Sequence, residues 1–285
     1  MLEVEAPAAV FDEEAALVLP EKDVQKGEPN GELVRDCERD GVSGTLTAYY
    51  DENGILFKNV ETYEDGSCYI EEYASNGTVT YIHDAQANGD VSEQFFDEYG
   101  SVMKRVTTKS DGTYYETIFY SNGVKASVIN QYASGGYYEE YFTKSGNTIS
   151  VKQVGADGSL QETTYYENGN SKSWIEDGAD GYYETHWFEN GRMSSTLENS
   201  ARGYFEHVYH ANGERALDIC RYDGLDIETR YDESGKTIYA KCISSEHSYL
   251  FENGELVYYC REGREVTDPV ELLNFAFAQG LVPFE

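Results

Sequence analysis

An evenly spaced series of glycines constrains this sequence of 285 residues more than any other feature. Eleven glycines recur at steps of 23 residues, then 22, and finally 19, and in eight of the eleven cases the preceding residue is Asn. These are Gly31, Gly54, Gly77, Gly100, Gly123, Gly146, Gly169, Gly191, Gly213, Gly235 and Gly254. A second glycine follows most of them after 12 residues. A chain of this regularity is expected to fold as an array of one repeated unit.

Each repeat has the composition of a β-hairpin. Asn-Gly and Asp-Gly pairs favour type I′ turns, in which both central residues have positive φ. The segments between them, such as TYYETIFY (113–120) and ASVINQY (126–132), are rich in aromatic and β-branched residues, as strands are. We therefore predict an all-β fold, an elongated antiparallel meander of about eleven β-hairpin repeats of 22–23 residues.

One face of this meander is predicted to carry two aromatic rows. The residue four positions before the repeat glycine is aromatic in nine of ten repeats. The first row is Tyr50, Tyr73, Phe96, Phe119, Phe142, Tyr165, Trp187, Tyr209 and Tyr231, and the second, eight before the glycine, includes Tyr115, Tyr138, Tyr183 and Phe205. Threonine often lies between them, and residues four apart on a strand share a face. The rows are either a core stripe or a stacking platform for sugar rings or apolar side chains of a partner.

The opposite face is predicted to carry a column of glutamates, seven residues before the repeat glycine. Its members are Glu93, Glu116, Glu139, Glu162, Glu184, Glu206 and Glu228. In a stacked solenoid they would lie about 4.8 Å apart and repel strongly, whereas in a meander they lie two strands apart, roughly 9 to 10 Å. The column thus favours the meander, in which Cys220 and Cys242 are too distant for a disulfide. It is either a solvated face or an acidic strip for a basic partner or divalent ions.

Charge and motifs exclude several classes of function. The formal net charge of -32 disfavours nucleic acid and anionic membranes as partners. The sequence has no HExxH, P-loop, GxSxG or CxxC motif. We therefore predict a protein that is not an enzyme, with no catalytic residues, no metal site and no cofactor.

The two ends differ from the array. We divide the chain into an N-terminal segment or cap (1–26), the repeat array (27–264) and a C-terminal capping helix with a tail (265–285), and we expect residues 21–30 to be a linker. In DPVELLNFAFAQG (268–280), Asp268 suits the N-cap, Glu271 a capping box and Gly280 the C-terminal stop. The apolar residues predicted to face the last repeat are Leu272, Leu273, Phe275, Ala276 and Phe277. The acidic start lacks a signal-peptide pattern, so we expect a cytoplasmic protein if the chain is complete, and an extracellular or cell-surface one if a leader was removed.

The repeat resembles a known family. YYETHWFENGRMSS (182–195) and ETTYYENGNSKS (162–173) are similar to the bacterial variant of the MORN repeat, and the resemblance covers about residues 27–263. It implies a β-hairpin array that acts as a scaffold or interaction surface, and some bacterial members are labelled antitoxins. RYDESGKTIY (230–239) also resembles the YD repeats of large bacterial toxin shells.

These observations predict a non-enzymatic protein-binding or scaffold repeat protein that uses one long sheet face for a protein partner, a basic one if the glutamates make the contact. One alternative is a carbohydrate-binding cell-surface protein that uses the aromatic rows. Another is an antitoxin or immunity-like partner of a neighbouring gene product. The candidate partner-binding residues are Glu116, Glu139, Glu162, Glu184, Glu206, Tyr141, Tyr165 and Trp187.

Overall fold

A computed structural model describes residues 25–279, and it confirms the all-β hairpin meander with a C-terminal helix. The described residues form 22 strands, which corresponds to the eleven two-stranded hairpins expected. They are β1 (Glu32–Arg39), β2 (Val42–Tyr50), β3 (Leu56–Tyr63), β4 (Cys68–Tyr73), β5 (Val79–Ala85), β6 (Val91–Phe96), β7 (Val102–Thr108), β8 (Tyr114–Phe119), β9 (Lys125–Gln131), β10 (Tyr137–Phe142), β11 (Thr148–Val154), β12 (Leu160–Tyr165), β13 (Ser171–Gly178), β14 (Gly181–Trp187), β15 (Met193–Ser200), β16 (Gly203–Tyr209), β17 (Arg215–Tyr222), β18 (Leu225–Tyr231), β19 (Thr237–Ile243), β20 (His247–Glu252), β21 (Glu255–Arg261) and β22 (Arg264–Glu265). Helix α1 spans Pro269–Ala278.

Contacts divide the described residues into two compact units, one of residues 25–87 with Phe96–Gly100 and the other of Asn88–Phe95 with residues 101–279. In the first unit, β1 to β5 pair in chain order, each antiparallel to the next. In the second unit, β7 to β22 pair in the same way. Each unit is therefore built of consecutive hairpins, as the glycine spacing predicts.

The turns differ from the prediction of type I′ geometry. Among the described hairpins, both central residues have positive φ only at Asp40-Gly41, Asp223-Gly224, Asn253-Gly254 and Glu262-Gly263. Most other turns resemble the one at Gly123, which alone has positive φ; its N–H donates to Tyr120 O at 2.9 Å. This is a type I turn followed by a glycine bulge, and the register of β8 with β9 shifts there by one residue.

Asparagine is used in these turns for its side chain. Asn122 Oδ1 accepts a hydrogen bond from Val124 N at 3.1 Å, which closes its own turn, while Nδ2 donates to Lys144 O of the next repeat at 2.8 Å. Equivalent donations from one turn to the next repeat come from Asn76, Asn168 and Asn212. The prediction of type I′ turns was wrong at most positions because asparagine meets a hydrogen-bonding requirement there, not a requirement for positive φ.

Pairing register confirms the spacing argued from the glutamates and cysteines. Cys220 pairs with Ile227, and Ile227 pairs with Cys242, so the two thiols lie two strands apart. All five cysteines are free. Burial raises the pKa of the Cys220 and Cys242 thiols above their ordinary value.

Helix α1 packs on the last repeats, as expected of a cap. Asp268 Oδ1 accepts hydrogen bonds from Val270 N at 2.8 Å and Glu271 N at 3.1 Å, which confirms the N-cap. Phe275 stacks on Tyr259 with ring centroids 4.0 Å apart.

Two details of the helix prediction differ. Leu273 is 51% exposed, because the contact with the sheet is made by neighbouring positions such as Ala276, which is 3% exposed. The carboxylate of Glu271 contacts Arg261 at 3.5 Å; within residues 25–279, no capping-box bond from Asp268 N–H to Glu271 is formed. Gly280 lies outside the described residues.

At the other end, residues 1–24 of the predicted N-terminal segment lie outside the described part. Within the expected linker, Gly27 N donates to Gly54 O at 2.9 Å, and Lys26 forms a β-bridge with Ile55. A Cβ on Gly27 would come within 2.7 Å of the Tyr50 ring. Lys26 and Gly27 therefore pack on the end of β2 and on the turn that joins it to β3, and they are not a free linker.

Candidate functional site

Six of the predicted glutamates form one continuous line across the strands of the second unit. They are Glu116, Glu139, Glu162, Glu184, Glu206 and Glu228, here called the glutamate row. In every case the residue directly opposite on the intervening strand is aliphatic or a lysine: Ile129, Lys152, Ile175, Leu197 and Ile219. Row members are therefore two strands apart, about 9 to 10 Å, and all are partly exposed.

Tyrosine hydroxyls hold three of these carboxylates in place. Tyr114, two residues before Glu116 on the same face, donates to it at 2.6 Å, and the same arrangement joins Tyr182 to Glu184 at 2.9 Å. A third such bond, from Tyr204 to Glu206, measures 2.7 Å. Burial, and then the bond to Glu116, raise the pKa of Tyr114 to about 12. The phenol is thus a neutral donor at physiological pH.

Several basic groups lie beside the row: Lys152 is opposite Glu139 and Glu162, and His186 Nε2 lies 2.5 Å from Glu184 Oε1. Lys104 contacts Glu116 at 2.6 Å, and Arg230 contacts Glu228 at 2.6 Å. Burial alone would raise the pKa of the Glu116 carboxyl, but hydrogen bonds from Lys104 and Tyr114 outweigh it, and its pKa lies below the ordinary value. Glu139 and Glu162 form no ion pair with any residue of the described range 25–279.

The three aromatic candidates do not share one face. Tyr141 follows Glu139 by two residues on β10, so it lies on the same face as the glutamate row, and it is 39% exposed. Tyr165 and Trp187 each follow their glutamate by three residues and lie on the opposite face, partly buried. The structure thus brings six of the eight candidates together and separates the other two.

The first aromatic row is not an open platform. Tyr50 is 8% exposed and packs with Leu46, Ala48 and Leu56. The remaining rings of that row are all partly buried.

On the face opposite the glutamate row, strands β13 to β16 form a groove of about 410 Å³. Its floor lies along one cross-strand line in which Thr185 pairs with both Trp174 and Thr196, and Thr196 pairs with His207. A parallel line gives one wall, where Glu198 lies between Tyr183 and Phe205. We call it the threonine groove, and its lining side chains include Trp174, Tyr183, Thr185, Thr196, Glu198, Arg202, Phe205 and His207.

Charged groups at the rim of the threonine groove are paired. Arg202 Nε and Nη2 donate to the two Glu198 oxygens at 3.0 and 2.8 Å, and Ser200 also donates to Glu198 at 2.6 Å. His207 Nδ1 lies 2.5 Å from Asp218 Oδ1, and Asp218 also accepts from Tyr231 at 3.0 Å. Arg215 Nη1 contacts both groups, lying 2.5 Å from Asp218 Oδ1 and 3.3 Å from His207 Nδ1, so Nδ1 is engaged within the protein.

Sequence reasoning found only part of this groove. Thr185, Tyr183 and Phe205 belong to columns that the repeat reveals. The other residues, Trp174, Thr196 and Glu198, lie on the strands that follow the repeat turns, where the bulges shift the register. Their cross-strand neighbours are therefore set by the pairing of β13 to β15 and not by the repeat spacing.

A larger depression of about 810 Å³ in the first unit is polar. Asp36, Glu38 and Glu64 contribute to its lining beside Tyr63. Burial, and then a hydrogen bond to Glu61, raise the pKa of Tyr63 well above its ordinary value.

Residues 25–279 contain neither a metal-binding cluster nor a membrane-spanning helix. No group of three or more His, Cys, Asp or Glu side chains there could hold a metal ion. No helix among them is both long and apolar enough to cross a membrane.

No known family model matches the sequence, and no curated protein is similar to it. Among solved structures, the TcdB2-TccC3 complex aligns at 10% identity with a TM-score of 0.22, over 83% of this chain and 17% of that one. A porin-like protein from Bacteroides uniformis aligns at 12% identity with a TM-score of 0.19, over 67% of this chain and 92% of that one. This chain therefore spans about a sixth of the length of the TcdB2-TccC3 chain. These TM-scores are too low to indicate a common fold.

Proposed function

We propose that this protein is a non-enzymatic, protein-binding scaffold of the MORN-like repeat type, and that its glutamate row binds a basic segment of a partner protein. The observation that carries the proposal is the regular placement of partly exposed carboxylates on one face, two strands apart through six successive hairpins. The formal net charge of -32 favours approach of a basic partner at long range.

The spacing of the row suggests the conformation of the segment. Two strand spacings are about 9.5 Å. A polyproline II helix rises about 3.1 Å per residue with three residues per turn, so side chains at every third position lie on one face about 9 Å apart. A segment with Lys or Arg at every third residue in this conformation would therefore match successive glutamates.

Aliphatic residues between the glutamates support the same partner. Ile175, Leu197 and Ile219 are partly exposed in the line of the row. They would contact the apolar residues between the cations of such a segment, or the methylene stems of its Lys and Arg side chains. The tyrosine hydroxyls that position Glu116, Glu184 and Glu206 reduce the side-chain entropy lost on binding.

Two labelled peptides of equal charge test the proposal by fluorescence anisotropy: (Lys-Pro-Pro)5, and a peptide with the same composition whose five lysines are contiguous. The first should bind more tightly. The triple variant Glu139→Gln, Glu162→Gln, Glu184→Gln should weaken it by about 3- to 150-fold, because each exposed ion pair is worth roughly 0.2–1 kcal/mol.

A matched control removes the same number of charges elsewhere. Glu167, Glu189 and Glu233 are exposed at the turns, and their combined change to Gln should leave affinity nearly unchanged. Equal weakening by the two triple variants, or equal affinity of the two peptides, would show that only net charge matters and would refute the role of the row.

A further inference from the structure

The threonine groove presents polar atoms that have no partner inside the protein. Four such groups form no hydrogen bond with any residue of the range 25–279. They are the Trp174 indole N–H, the hydroxyls of Thr185 and Thr196, and His207 Nε2. No buried side-chain nitrogen or oxygen of that range lacks a partner, so these atoms reach solvent. They offer three hydroxyl or N–H donors and several acceptors along one cross-strand line.

Aromatic carbon borders the same line. Tyr183 and Phe205 flank Glu198 on one side, Trp174 lies at one end of the floor, and all three rings are partly exposed. Phe205 is itself held by Tyr222, with ring centroids 5.7 Å apart. Trp174 and His207 are three strands apart, about 14 Å, and the volume of about 410 Å³ lies within the usual range for small-molecule sites.

We propose that the threonine groove is a binding site for neutral pyranose sugars, with room for one or two rings. A pyranose has an apolar C–H face that suits an aromatic ring and a rim of hydroxyls that suits the free polar atoms. The site lies on the face opposite the glutamate row and adds a function to the proposed protein binding.

The charges of the groove select a neutral ligand. The Glu198 carboxylate is already bound by Arg202 and Ser200, so it is not available to pair with a cationic ligand. An anionic sugar would be repelled by a protein of formal charge -32. A purely apolar side chain would leave the hydroxyls of Thr185 and Thr196 without partners, which is unfavourable.

The two tryptophans of the chain provide a direct assay. Trp174 lines the groove, whereas Trp187 does not. In the variant Trp187→Phe, the remaining indole should change its emission when glucose, galactose, mannose, N-acetylglucosamine, and their α- and β-linked disaccharides are titrated. Saturation-transfer NMR on the same sugars gives a readout that does not depend on tryptophan.

Substitutions then locate the site. Thr185→Val and Thr196→Val remove a hydroxyl and keep a β-branched shape, and each should weaken the best sugar roughly 2- to 12-fold. Trp174→Ala should weaken it by more than about tenfold, while the affinity for (Lys-Pro-Pro)5 stays unchanged. Thr117→Val is the matched control, because Thr117 occupies the same repeat position as Thr185 outside the groove.

Circular dichroism would show that each variant is folded. No binding by any sugar of the panel to the folded protein overturns the proposal. So does an unchanged affinity in both Trp174→Ala and Thr196→Val, or a loss in Thr117→Val as large as in Thr185→Val. Failure of the sugar assay leaves the peptide assay on the opposite face intact, so the two proposals can fail separately.

Discussion

The ends of the described chain and its middle are stabilised differently. The first unit buries Leu46, Ala48, Tyr50 and Leu56 as one cluster, and at the other end Ala240, Phe251 and Ala276 form another. Between residues 107 and 239, all described, no hydrophobic side chain is buried. The repeats in between depend on backbone pairing, on half-buried cross-strand pairs and on side-chain bonds at the turns. A hairpin array can thus keep both faces accessible for binding along its middle, while hydrophobic clusters form near its ends.

The largest expected effect tests this comparison with a pair of phenylalanines. Phe251 is 1% exposed, and Phe251→Ala should cost about 3–5 kcal/mol, because it removes a fully enclosed ring. Phe119, in the middle, is only partly buried, and Phe119→Ala should cost about 1 kcal/mol. Hydrogen exchange resolved by segment is the suitable measurement, since repeats open locally. Equal losses at the two sites would mean that the middle has a core after all.

A smaller effect should come from the turn asparagines of the middle. Asn122→Asp keeps an oxygen for Val124 N but loses the donor to Lys144 O, so local stability should fall by about 0.5–1.5 kcal/mol. Asn190 provides the matched control: its Oδ1 accepts from Arg192 N, and its amide makes no donation to residues of the described chain. Exchange of the turn amides should therefore increase in Asn122→Asp and change little in Asn190→Asp. The reverse result would remove the turn-to-turn bonds as a source of stability.

The parts of this fold that sequence could predict are those fixed by local chemistry. The positions of the hairpin turns, the strands and the Asp268 N-cap each depend on residues close in sequence, and these three predictions are confirmed. The turn type was wrong because Asn122 satisfies two backbone groups, one of them 22 residues away. Exposure of Leu273 depends on how α1 rotates against the sheet, which no local pattern specifies.

The two candidate sites also differ in whether local sequence could predict them. Repeat position placed the glutamate row on one face, since residues two apart on a strand share a face and the spacing of the column is constant. The threonine groove needed cross-strand register: Trp174 meets Thr185 and Thr196 meets His207 only because the bulges set the alignment of β13 to β16. The residue type at the repeat positions of Trp174 and Glu198 changes from repeat to repeat, so no constant column marks them.

The smallest expected effect concerns acid and the turns of the middle. Asp111 Oδ1 accepts a hydrogen bond from Thr113 N at 2.8 Å, and the bonds from Thr113 hold the pKa of Asp111 below its ordinary value of 3.8. A carboxyl whose pKa is lower in the folded state stabilises the fold above its unfolded pKa, and that contribution is lost as pH falls through the folded value. The Asp111 turn should therefore weaken below about pH 4. Acid also reduces the repulsion of a chain with formal charge -32, which acts in the opposite direction, so the comparison must be local.

Asp111→Asn separates the two contributions, because Asn accepts the same bond without titrating, as Asn122 does in its own turn. The exchange rate of the Thr113 amide is measured in both proteins and corrected for the intrinsic pH dependence of exchange. As pH falls from 6 to 3, the corrected rate should increase in the original protein relative to the Asp111→Asn variant. The amides around Phe251, whose cluster partners Ala240 and Ala276 do not titrate, should show no difference between the two proteins over that range. A difference at Phe251 as large as at Thr113 would mean that acid acts through global stability. The hydrogen-bonded middle and the apolar end would then not differ in how their local stability depends on pH.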